Sequence, residues 1–249
     1  MTVPTYEPLN TLKSVAENIW IADGPIIKMD IKIGMIPFST RMTVIKLNDG
    51  SIWVHSPIEA TPNLLAEIDQ LGPVKHLVSP NMIHYACIPQ WQTYYPKATA
   101  WASPGVNKRA ASQNIDVSFD QDLTDQAPFE WADDIEQLIF KGSSVIEEVV
   151  FFHKSSRTLI LADLIENFEP KRTQSFWWRM IYKLAGIAHP DGKTPLDLRL
   201  TFTGNQEIAR KSYHQILAWQ PEKIILAHGR WYKENGVAEL KRAFRWLEE

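Results

Sequence analysis

The chain has 249 residues, 45% of them hydrophobic and 22% charged, and carries a net charge of −3. That is an ordinary globular composition, enough for a sizeable core in one large domain or two small ones. It offers no electrostatic case for nucleic acid, because Lys and Arg are scattered rather than striped. The single cysteine, Cys87, cannot form an internal disulfide. This favours a reducing compartment, and the thiol reads as a small buried side chain. The first residues lack the basic and apolar regions of a signal peptide, and no run approaches the ~18 apolar residues of a transmembrane helix. A cytoplasmic enzyme or binding protein is the expectation.

In chain order, residues 1–17 carry Pro4 and Pro8 and are expected to lie over the surface. Residues 18–22 read as a strand stopped by Asp23-Gly24-Pro25. Residues 26–40 are turn-rich, with Gly34 and Pro37. Residues 42–47 and 51–55 read as strands joined by the hairpin turn Asn48-Asp49-Gly50. Thr61-Pro62 opens a helix with a capping hydroxyl and a proline at its first position, and Gly72 closes it. Strands follow at 75–79 and 99–102, then an acidic stretch, 107–134, expected to wrap an edge. Three strands come in close succession at 135–141, 146–153 and 158–163. Helical patterns cover 174–188 and 204–219, a strand covers 223–227, and a helix ends the chain.

Three apolar runs end on a polar side chain. His76–Ser79 leads into a turn delivering His84, Leu159–Ala162 ends on Asp163, and Lys223–Ala227 ends on His228 before Gly229. A buried strand positions a side chain rigidly, and the loop after it is where α/β enzymes place chemistry. His84, Asp163 and His228 are therefore expected to converge. The order of elements suggests a four-layer α/β sandwich of two facing sheets with helices outside.

This order resembles the metallo-β-lactamase-fold superfamily over nearly the whole chain, and most resembles an uncharacterised branch known only as a domain of unknown function. The family's His-x-His-x-Asp-His turn corresponds to Ser79-Pro80-Asn81-Met82-Ile83-His84, of which the last histidine remains. The Gly-Asp carboxylate corresponds to Asp163, after Ala162, and the Gly-His histidine to His228, after Ala227. His55-Ser56-Pro57 stands where Asp-Thr-Gly is expected, and Phe140–Ser144 lacks the lone middle histidine. The resemblance implies an αββα sandwich forming one domain over residues 1–249, with a Trp-rich helical insertion near 170–192. It implies that all three ligands of the first metal are gone, and that three of the four for the second remain as His84, Asp163 and His228.

Two imidazoles and a carboxylate suit one zinc ion with a position left for water, and equally non-haem Fe(II). Each of the seven histidines, taken alone, reads as a structural residue, and Asp163 as a turn cap. His55 and either Glu147 or Glu148 are candidates to rebuild a site. Glu148 and Arg230 are candidates for catalysis, Arg230 through a bound anion. Two functions stay open. One is a mononuclear metallo-hydrolase of a small ester, lactone, thioester or amide. The other is a non-catalytic small-molecule-binding or scaffold protein without a metal. Residues 176–183 are aromatic and basic and read as a lid, as a membrane-surface helix presenting Trp177 and Trp178, or as core or dimer packing. Nothing in the sequence fixes the oligomeric state.

Overall fold

A computed structural model describes residues 3–31 and 34–248. In chain order the first half holds β1 (Lys13–Ala16), β2 (Ile19–Ile31), β3 (Gly34–Lys46), β4 (Ile52–His55), α1 (Pro62–Asp69), β5 (Val74–Val78), α2 (Ile88–Tyr94), β6 (Thr99–Ala102), α3 (Val106–Ser112) and β7 (Gln121–Asp122). The second half holds β8 (Ile135–Phe140), β9 (Glu148–His153), β10 (Thr158–Leu161), α4 (Phe176–Ala185), α5 (Leu196–Leu200), α6 (Gln206–Ala218), β11 (Lys223–Leu226) and α7 (Gly236–Ala243).

The first seven strands form one sheet in sequence order, and β11-β10-β9-β8 form the other. Alternation along each strand sends side chains to opposite faces. The inner faces meet through Trp53, Trp101, Trp131, Phe151 and Ile225. Trp101 and Trp131 lie edge to face at 4.6 Å, and Trp53 and Phe151 at 5.0 Å. The high tryptophan content thus serves partly to fill the layer between the sheets. Helices α1 to α3 cover the first sheet through Leu64, Ile68, Trp91 and Val106. Helices α6 and α7 cover the second through Tyr213, Ile216, Leu240 and Phe244. The architecture is the expected αββα sandwich.

Helix α1 begins as its sequence dictates. The Thr61 hydroxyl accepts from the Leu64 N–H, and Pro62 occupies the first turn. The largest departure is at 23–40, where β2 runs through Asp23-Gly24-Pro25 and pairs with β3 in a long hairpin. The register shifts between Gly24 and Ile27, so the Gly-Pro pair sits in a bulge rather than ending the strand. A Cβ on Gly24 would lie 2.4 Å from Thr40 Oγ1 and 3.2 Å from Ile58, so any larger residue would force those side chains to shift. The N-terminal stretch also adds β1 to the sheet edge and buries Val3, against the expectation of a surface segment. Residues 107–134 do reach the edge as β7, while their Trp131 enters the core.

His76 is buried between the sheets and accepts from the Trp101 indole N–H at 3.3 Å. Burial pushes its imidazole down to about 4. The unfolded chain binds this proton near pH 6.5 and the folded one does not. The resulting stability is full above pH 6.5 and is lost as the pH falls toward about 4. The expected slope is about 1.4 kcal/mol per pH unit. His76→Gln should flatten the fall in urea-unfolding free energy over that window. An unchanged slope would mean that His76 titrates alike in both states.

A candidate metal centre

Strands β4, β5 and β6 are mutually parallel, as are β10 and β11, so their C-terminal ends lie at common rims. Antiparallel β9 brings its first residue, Glu148, to the end of β10. Antiparallel β3 extends past the Thr43–His55 pairing, which carries Ser39 and Arg41 beyond the end of β4. Loops after β5, β10 and β11 then deliver His84, Asp163 and His228 to one place.

Their ligating atoms all lie within 4.8 Å of one another. Asp163 Oδ2 is 3.1 Å from His84 Nε2, and Asp163 Oδ1 is 3.1 Å from His228 Nε2. Side-chain exposure is 10% for His84, 11% for Asp163 and 3% for His228, so the cluster opens to solvent on the His84–Asp163 side. Burial alone would raise the Asp163 carboxyl, but the charges and hydrogen bonds of the two histidines outweigh it and hold it well below the usual carboxylate range.

The other ring nitrogens are anchored. His228 Nδ1 donates to the Ser39 carbonyl at 2.6 Å. A carbonyl only accepts, so the proton must be on Nδ1. In a neutral ring Nε2 then presents a lone pair to a carboxylate oxygen 3.1 Å away. Two lone pairs cannot face each other there, so either a second proton or a metal cation must lie between them. An imidazole fixed through Nδ1 with Nε2 turned to a shared centre is the usual arrangement of a metal ligand. His84 Nδ1 is 2.6 Å from Ser56 Oγ, which leaves its Nε2 for the same centre. The donor set therefore fits one divalent ion.

A second layer holds Asp163. Glu148 accepts the Ala162 and Asp163 N–H groups at 2.8 and 2.7 Å. Asn81 Nδ2 lies 2.7 Å from Asp163 Oδ2 and 3.2 Å from Glu148 Oε2. Burial, then the Asp163 charge, push the Glu148 carboxyl up to about 7 against these donors. Ser79 and Asn81, which the resemblance aligns with two histidines, are fully buried and bonded internally, Ser79 Oγ to the Asn81 carbonyl.

The loop bearing His228 is tied to the first sheet by buried Arg41. Its guanidinium donates to the Leu226 and Gly229 carbonyls and pairs with Asp23 at 2.7 Å. Gly229 has φ +82°, and a Cβ there would lie 2.4 Å from the Asn167 carbonyl oxygen, so glycine is required beside the histidine.

Among the described residues, His55 and Glu147 do not join the converging donors. The His55 ring packs against Trp53 and Phe151 at 5.6 and 5.4 Å. Burial, then the His84 charge, push it down to about 3. Glu148 does reach the site, as a support for Asp163. Arg230 follows the His228 turn with a 55% exposed side chain, 3.6 Å from Glu169. Sequence reasoning missed Glu166, a buried carboxyl that burial raises to about 8 and that feels the charges of His228 and Asp163. Its only signal was its place three residues after Asp163.

Residues 18–176 match the model of a family described as a domain of unknown function, DUF4336. The chain belongs to that family. No curated protein sequence matches this DUF4336 chain. Its fold is that of solved metallo-β-lactamase structures. The DIM-1 metallo-β-lactamase, exposed to ceftazidime, is 16% identical with a TM-score of 0.64, covering 100% of this chain and 99% of that one. A metallo-β-lactamase from Pontibacter korlensis is 12% identical with a TM-score of 0.60, covering 96% and 99%. Rubredoxin oxygen:oxidoreductase from Desulfovibrio gigas is 10% identical with a TM-score of 0.65, covering 96% of this chain and 62% of the oxidoreductase. The fold that the resemblance implies is thus the one found, in a family described as a domain of unknown function.

Proposed function

We propose that this DUF4336 chain is a mononuclear metal-dependent hydrolase of a small ester, lactone, thioester or amide. The observation that carries the reading is the His228 ring, whose Nδ1 proton is committed to Ser39 while Nε2 faces Asp163. His84 Nε2, Asp163 and His228 Nε2 would hold one zinc or Fe(II) ion, which supplies a Lewis acid and an activated water at neutral pH. Ser56 and Ser39 orient the two rings. Asn81 and Glu148 orient the carboxylate, so Glu148 acts through Asp163. Arg230, exposed beside the His228 turn, would meet a substrate anion.

The test compares chelator-treated protein with protein reloaded with zinc, iron or manganese on a panel of those four substrate classes. Turnover lost with the chelator and restored by one of the ions is the expected result. A loaded protein that turns over none of them leaves a non-catalytic small-molecule-binding protein.

One observation favours a second reading. Ser56 Oγ, His84 and Asp163 form a continuous hydrogen-bonded series, and Ser56 has φ +51° at the end of β4. A serine in left-handed backbone, bonded to an imidazole that contacts a carboxylate, is the arrangement of an activated nucleophile. Its exposure of only 5% weighs against it. Labelling by a fluorophosphonate in the presence of chelator, absent in Ser56→Ala, would favour the serine. The metal reading expects no such labelling.

A further inference from the structure

Helix α4 turns an apolar face outward. Phe176, Trp177, Ile181 and Leu184 are 67%, 71%, 44% and 71% exposed. At 100° per residue they fall on one stripe. Opposite them, Tyr182 stacks on Phe168 at 4.7 Å, and Trp178 packs into the same small cluster. Of the two tryptophans that the membrane-surface reading presents, Trp177 is turned out and Trp178 is partly buried. Leu196 and Leu200 on neighbouring α5 extend the patch, at 42% and 64% exposed.

Along α4 and the residues before it the charge is one-sided, whereas α5 carries an exposed Asp197 between its leucines. From Lys171 to His189 the sequence holds Lys171, Arg172, Arg179 and Lys183 and no Asp or Glu, in a chain whose net charge is −3. All four cations are exposed. Arg179 is hydrogen-bonded to the Thr173 carbonyl rather than to an acid, and Arg172 pairs with Glu169. Among the described residues no helix is long and apolar enough to cross a membrane. An amphipathic helix with outward aromatic side chains and basic flanks lies in the plane of a lipid interface.

We propose that α4, with the α5 leucines, docks this protein on an anionic phospholipid surface. Phe176, Trp177, Ile181 and Leu184 enter the acyl boundary, and Lys171, Arg172, Arg179 and Lys183 meet the phosphates. The helix is anchored to the body through Tyr182 on Phe168, and Phe38 lies between Phe168 and His228 at 6.4 and 5.2 Å. The docking face is thereby built onto the wall of the candidate metal centre. The proposal does not depend on that centre being catalytic.

The test is co-sedimentation of the full chain with phosphatidylcholine vesicles, with and without phosphatidylglycerol. Binding should require the anionic lipid and weaken as salt rises. The double variant Phe176→Ser/Trp177→Ser should weaken it at least about tenfold. Arg179→Gln and Lys183→Gln should each weaken it about fivefold. Phe129→Ser, at a 97% exposed site outside the helix, should leave it unchanged. Circular dichroism would establish that the variants fold. Absence of binding to the anionic vesicles, or equal loss with Phe129→Ser, overturns the proposal. So does a concentration-dependent dimer that the double variant disperses without any lipid binding, since the face would then be a contact between copies.

Discussion

His228→Ala is expected to weaken metal binding by at least about 100-fold, measured by equilibrium dialysis with zinc or Fe(II). Loss of a supporting group alone typically costs ten- to a hundredfold, and this change removes a donor itself. It also removes the shorter of the two imidazole contacts at Asp163 Oδ1, leaving His84 Nε2 at 3.3 Å, and leaves the Ser39 carbonyl without the Nδ1 donor. His84→Ala should have an effect of similar size. A purely structural role would show the opposite pattern, with a lower melting temperature and metal affinity unchanged in the folded variant. Hydrolysis, where present, should fall in parallel with occupancy and return only at metal concentrations high enough to refill the weakened site.

Glu148→Ala should destabilise the fold by about 3–5 kcal/mol, a large share of the stability of an ordinary domain. The carboxylate is 3% exposed and accepts from the Ala162 and Asp163 N–H groups and from Asn81. Truncation leaves these donors buried without partners, which is the costly direction of losing a hydrogen bond. Glu148→Gln keeps one acceptor but turns an NH₂ group toward remaining donors, so it should recover only part of the loss. Urea unfolding measures both. An ordinary edge carboxylate would change stability by less than about 0.5 kcal/mol. The expected metal affinity of the folded Glu148→Gln variant is also lower, by about tenfold, because Asp163 is no longer fixed.

The fold was legible where hydrophobic pattern and turn chemistry agreed. Thr61-Pro62 marked α1, Asn48-Asp49-Gly50 marked a hairpin, and three apolar runs ending on His84, Asp163 and His228 marked the rim. It was misread where local punctuation served a sheet irregularity. Gly24-Pro25 looks like a stop, yet a bulge uses the same residues because it needs a small side chain and no ladder N–H. Strand β1 was hidden because its burial is only partial, with Val15 and Ala16 packing against the core from the sheet edge.

At the site, the strand-borne donors were readable because a buried strand announces where it ends. Their supports were not. Ser39, Ser56, Asn81 and Arg41 are common residues in their sequence context and acquire roles only when distant segments meet, as Arg41 does with the carbonyls of Leu226 and Gly229. Asn81 stood out only as a departure from a histidine motif. The structure gives that departure a physical content, because its amide contacts both Asp163 and Glu148.

The most direct measurement is the metal content of protein made without an affinity tag, purified without chelator and analysed by mass spectrometry of the elements. The account predicts one equivalent of a transition metal per chain, held by the two imidazoles and the carboxylate. Protein that stays metal-free after supplementation with zinc, iron and manganese would contradict it. Two equivalents would contradict it as well, because the described residues bring together one such group of donors, His84, Asp163 and His228.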